Sequence, residues 1–132
     1  MFVHKSYPIP LYSTSEKTRI HIIITDEKNW NKVITTLNLF NDVDEEHAWT
    51  YNDVSAFYTS TEIKGIANFW IIFKNTKQSL SMNTLGHEVV HMVNGIYKSR
   101  GIELSLDNDE PQAYLTGWVT ETVYQTIKKY LK

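Results

Sequence analysis

At 132 residues the chain has the length of one domain, 1–132, and no room for separate catalytic and binding modules. It contains no cysteine, so disulfides and thiolate-bound zinc are excluded and any metal must be held by His, Asp or Glu. Its 13 basic and 15 acidic residues, a formal net charge of -2, are spread along the chain, which argues against nucleic acid as a partner because phosphate binding draws on a basic stripe. No run approaches the roughly 18 apolar residues of a membrane span, and the N-terminal residues lack the apolar core of a signal peptide. The expectation is a cytoplasmic protein with no membrane partner.

Residues 1–17 carry Pro8 and Pro10 and read as an extended arm lying on the domain. The continuous β-branched run Ile20-His21-Ile22-Ile23-Ile24 predicts a central strand covered on both faces. Thr25 or Asp26 then serves as N-cap of an amphipathic helix of about 12 residues, on which Trp30, Val33, Ile34 and Leu37 share one face. Residues 41–53 are acidic and turn-rich, a loop. Residues 54–61 and 65–74 read as two strands of a hairpin that turns around Ile63-Lys64-Gly65. Beyond a break at 75–78, Leu85, Val89, Met92, Val93 and Ile96 keep helical spacing, and Gly101 marks the stop. Asp107-Asn108-Asp109 supplies capping chemistry for a last helix with Pro111 in its first turn and Leu115, Val119, Val123, Ile127 and Tyr130 as its buried stripe. Strand, helix, two strands, helix, helix is the order of an α+β domain.

Histidines four apart on a helix project from one face, one turn above the other. His87 and His91 have that spacing, so both imidazoles can reach one metal ion. Glu88 is rotated about 100° from His87 around the helix, which directs its carboxylate beside the metal and suits a general base taking a proton from metal-activated water. Val89 and Val90 are expected to anchor the helix with apolar bulk, and Gly86 to admit a substrate or a neighbouring strand.

A catalytic zinc usually takes three protein ligands plus water. No histidine follows His91, so a third ligand from that side must be a carboxylate. Glu110 is chosen because it opens the last helix and forms, with Ala113, Tyr114 and Gly117, a second stripe whose small residues let that face pack closely against the His87/His91 helix. Asp109 and Asp107 satisfy the same chemistry. Tyr97, Tyr114 and Tyr124 are candidates to hydrogen-bond a tetrahedral oxyanion, Tyr114 ahead of the others because it lies one turn from Glu110, although a helical tyrosine more often packs in a core. His21 reads as a satisfied core histidine. His4 in the arm and His47 in the acidic loop are given no role.

His87-Glu88-Val89-Val90-His91, followed by Glu110 in the string Asp109-Glu110-Pro111-Gln112-Ala113-Tyr114, resembles the Glu-zincin branch of the HExxH zincin metallopeptidases over roughly residues 65–120. Tyr114 stands where thermolysin-like members carry an Asp. The small size is similar to that of minimal zincins often encoded by bacteriophages. The resemblance implies a zincin-like mixed β-sheet packed against an active-site helix and a C-terminal helix, Zn2+ bound by His87, His91 and Glu110, Glu88 as general base and acid, and a peptide or protein substrate. It also implies an edge strand along the substrate cleft, expected within Gly65 to Phe73, with Asn68, Phe69 and Trp70 near the substrate. The function so implied is zinc-dependent hydrolysis of peptide bonds, in the host cytoplasm or the virion if the chain is phage-encoded. The alternative is a catalytically weak or inactive zincin-fold binding module, associated with virions.

Overall fold

The computed structural model describes residues 1–10, 18–40, 51–52 and 54–131, apart from the side chains of 38–40 and 63. The remaining residues of the expected arm, and nearly all of the acidic loop with His47, lie outside the described residues. Four strands form one sheet in the order β1-β2-β4-β3. At its centre β2 (Arg19–Thr25) and β4 (Ile66–Lys74) run parallel, while β1 (Phe2–Pro8) flanks β2 and β3 (Ala56–Ile63) flanks β4, both antiparallel. With the helices α1 (Trp30–Phe40), α2 (Met82–Ser99) and α3 (Glu110–Ile127), and a closing 3-10 turn at Lys128–Tyr130, the architecture is α+β with a mixed sheet.

Both central strands are runs of large apolar residues because both of their faces are covered. Ile20, Ile22 and Ile24 of β2 join Phe69, Ile71 and Phe73 of β4 on one face, under Leu85, Val89, Met92 and Val93 of α2 and Leu115, Val119 and Val123 of α3. On the opposite face Ile23, Trp70 and Ile72 meet Trp30, Val33 and Leu37 of α1. Each such side chain, removed from water, contributes about 1.5–3 kcal/mol. The sheet is therefore the middle layer of three. No helix among the described residues is long and apolar enough to cross a membrane.

Two expectations about the sheet need correction. The N-terminal arm is not merely laid on the domain, since Phe2–Pro8 is a full edge strand in register with all of β2. The segment Gly65 to Phe73 does not contain the edge strand either: β4 pairs on both sides, and the edge is β3. Accordingly Asn68 and Trp70 are buried on the α1 side of the sheet, where Asn68 Oδ1 accepts from His21 Nε2 at 2.9 Å and the Trp70 indole N–H donates to Thr61 Oγ1 at 2.8 Å. The hairpin turn is the two-residue Lys64-Gly65, with φ of 51° and 81°, the paired left-handed conformation whose twist matches that of the strands it joins.

The helix boundaries follow local chemistry. Asp26 accepts from the Asn29 backbone N–H at 2.9 Å just before α1, and its carboxylate also pairs with the N-terminal amine of Met1. Ser81 caps α2 by accepting from the Thr84 N–H at 3.2 Å. At the other end Gly101, at φ 67°, lets its own N–H reach the Lys98 carbonyl and the Ile102 N–H reach that of Tyr97. This double closure is the Schellman motif that a glycine after a helix makes feasible.

Candidate functional site

Helical steps of about 100° divide α2 into unlike faces. Leu85, Val89, Met92, Val93 and Ile96 point into the core, whereas His87 and His91 stand on the exposed side, ring centroids 4.9 Å apart, with their Nε2 atoms 3.3 Å from each other. Two nitrogens bound to one zinc at about 2.0–2.1 Å with a tetrahedral angle between them stand roughly 3.3–3.4 Å apart. The imidazoles thus already span one edge of a zinc tetrahedron, and on that measure the pair fits two of the ligands a zinc ion takes.

Glu88 lies at the border between the two faces. Only 5% of it is exposed, and desolvation by its apolar surroundings pushes its carboxyl above the usual carboxylate range, with the neighbouring His87 and His91 pulling the other way. A carboxyl raised in this manner sheds and recovers a proton closer to neutral pH than an ordinary surface glutamate. Val90 corrects the expectation that both motif valines anchor the helix: Val89 is buried, but Val90 is 55% exposed because one further step carries it off the core side. Gly86 meets no neighbour, as a Cβ placed there would touch nothing within 4 Å.

Glu110 is the first residue of α3 and is exposed. The stripe it forms with Ala113, Tyr114 and Gly117 does not pack against α2. All four are exposed, Tyr114 to 70%, and a Cβ on Gly117 would meet nothing within 4 Å. The reason is angular: Leu115, Val119 and Val123 already define the inward side of α3, and the stripe lies roughly half a turn of the helix away from it. Among the described residues no three His, Asp or Glu side chains converge into a metal-holding group, so Glu110, Asp109 and Asp107 are not brought to the histidine pair. Of the other tyrosines considered for an oxyanion, Tyr97 is in the core and Tyr124 is exposed at the rim of α3.

One residue near the site is absent from the sequence-based reading. Tyr58, on the edge strand β3, lays its phenol against Gly95 of α2, one turn beyond His91; a Cβ at Gly95 would fall onto the Tyr58 hydroxyl. Burial pushes the Tyr58 phenol up to about 12. A glycine inside an otherwise good helix former sequence was the available signal, since it costs about 1 kcal/mol and marks a close approach.

His21 is a satisfied core histidine. It is stacked on Trp70 with centroids 3.8 Å apart, and its Nε2 lies 2.9 Å from Asn68 Oδ1 while its Nδ1 lies 3.0 Å from His4 Nε2. Asn68 Nδ2 donates to the Ile66 carbonyl at 3.3 Å, which fixes the amide so that His21 Nε2 carries the proton and Nδ1 accepts from His4. Desolvation is the main reason its pKa falls to about 4. Comparison of the chain with protein-family models, with curated proteins and with solved structures finds no match.

Proposed function

We propose that the chain is a metallopeptidase in which His87 and His91 hold Zn2+ and Glu88 moves the proton. The observation that carries this reading is the 3.3 Å separation of the two Nε2 atoms beside a buried, pKa-raised carboxyl on the same helix. Zinc bound there would supply Lewis-acid activation of a water molecule and of the scissile carbonyl. Glu88 then accepts a proton from the attacking water and returns it to the departing amine, a sequence that its raised pKa supports in both directions. The roles of Glu110 as third ligand and Tyr114 as oxyanion donor rest on the sequence resemblance and not on the geometry of α3, where both stand exposed and apart from the pair; the proposed substrate is a peptide or protein.

A second reading is a zincin-fold binding module, retaining metal or only the shape, that acts as an assembly or virion component. It is favoured by one observation, that no third acidic or imidazole donor joins the pair among the described residues. Elemental analysis of the purified protein, wild type against His91→Ala, together with turnover of a generic peptide, separates the two. The peptidase requires about one zinc per chain, lost in His91→Ala, and turnover abolished by chelator and by Glu88→Gln. Zinc retained by the wild type without turnover supports the module, and no zinc at all overturns the peptidase and leaves the module as a metal-free shape.

A further inference from the structure

A groove with a cavity of about 770 Å3 lies between the β3–β4 hairpin and the C-terminal half of α2. Its floor is the apolar strip Ile66, Ala67 and Phe69, and its walls carry Tyr58 and Ser60 on one side and Lys98, Ser99 and Arg100 on the other. We propose that this groove binds an acidic peptide segment, with Lys98 and Arg100 receiving its carboxylate. The proposal rests on the peptidase reading in that it names the class of substrate, but it is argued from the groove itself.

Charge comes first. Two cations and one acid, Glu62, line the groove, and among the described residues neither Lys98 nor Arg100 has a carboxylate within ion-pair distance. Arg100 donates to Thr18 Oγ1 at 3.5 Å, which orients the guanidinium and leaves further N–H groups for a ligand. The negative end of the α2 dipole opposes an anion here, but the carbonyls of Tyr97 and Lys98 already accept from the Ile102 and Gly101 N–H groups, so the strongest of those acceptors are satisfied within the chain.

Shape selects a peptide. One wall is the edge strand β3, which among the described residues has a strand partner on one side alone, so its outer backbone groups can pair with an added extended chain. Seven residues along α2, at about 1.5 Å each, separate His91 from Lys98 by roughly 10 Å. That span corresponds to about three residues of extended peptide, so the acidic side chain stands about three residues from the bond held at the histidines.

The test uses the full chain carrying Glu88→Gln, so that binding is read without turnover. Fluorescein-labelled peptides that differ only in Asp, Asn or Lys at the acidic positions are compared by anisotropy. The Asp peptide is expected to bind about tenfold more tightly than the Asn peptide, the scale of one or two partly screened charge pairs, and to lose that advantage as salt rises. Lys98→Glu with Arg100→Glu should turn the preference toward the Lys peptide, and both sites are exposed, so a thermal melt matching the parent checks that the fold is kept. Lys128→Glu, on the exposed C-terminal turn, should leave the preference as it was. Equal affinities for Asp and Asn peptides overturn the proposal, as does a Lys128 effect equal to that at Lys98 and Arg100. Acid preference in a chain that takes up no zinc supports the groove and overturns the peptidase reading alone, whereas turnover without acid preference overturns the groove alone.

Discussion

On the sheet, His4 Nε2 stands 3.0 Å from His21 Nδ1; on α2, His87 and His91 bring their Nε2 atoms to 3.3 Å. The contacts are close in length, and their surroundings are opposite. His21 has an indole stacked on its face and an amide on its second nitrogen, so every lone pair and N–H of the ring is engaged and nothing is left for a ligand. The α2 pair is exposed, and among the described residues the facing nitrogens have only each other. A histidine contact is thus structural or ligand-ready according to what holds the rest of the ring, and separation alone does not tell the two apart.

The sharpest way to break this comparison is through the chemistry assigned to one side of it. Glu88→Gln should lower peptide turnover by about 100-fold or more while zinc content by elemental analysis stays unchanged; unchanged turnover removes Glu88 from the reaction. Next in size is a pH effect confined to the sheet pair. The folded His21 pKa of about 4 lies below its unfolded value of about 6.5, so the unfolded chain takes up a proton that the folded chain refuses. Stability from this group is complete above pH 6.5 and should fall by up to roughly 3 kcal/mol on descending to pH 4, measured as denaturation midpoints, with the slope reduced in His21→Gln.

Substituting within each pair should then separate them by stability. His21→Ala leaves Asn68 Oδ1 without its donor in a buried setting and should cost about 2 kcal/mol, whereas His91→Ala, on an exposed face, should change stability by less than about 0.5 kcal/mol. Chemical denaturation reads both, and equal losses would erase the distinction. The smallest expected effect concerns the helix that carries the exposed pair. Gly95→Ala should destabilise by about 1 kcal/mol although alanine is the better helix former, because its Cβ meets the Tyr58 hydroxyl. A gain in stability would show that the tyrosine yields without strain.

Much of the fold was legible in local pattern. The apolar run of β2, the amphipathic faces of α1 and α2, the Gly101 stop and the hairpin around Lys64-Gly65 all depend on residues within one element or its cap, where spacing and backbone preference decide the outcome. What was missed depended on pairing across the chain. The criterion that made β2 central, an unbroken apolar run, applies equally to Phe69-Trp70-Ile71-Ile72-Phe73 in β4, while Tyr58-Thr59-Ser60-Thr61-Glu62 in β3 has the polar content of an edge. Likewise β1 has too weak a pattern to announce a strand by itself and exists because β2 offers it a full register of partners. At the site, the helical spacing of His87, Glu88 and His91 was readable, but the direction faced by Glu110 was not. Small residues at 113 and 117 permit close packing without requiring it, and the larger apolar stripe of α3 took the inward side.

The parallel pairing of β2 with β4 also sets an order on folding. Residues matched across it, such as Ile20 and Phe69, lie about 50 positions apart, so joining them closes a long loop, while β3 and β4 meet through a two-residue turn. The hairpin is thus the natural early nucleus. Until the N-terminal third of the chain arrives, the sticky flank of β4 is an open seam, and slowing that arrival is what would expose the protein to mispairing with its own copies.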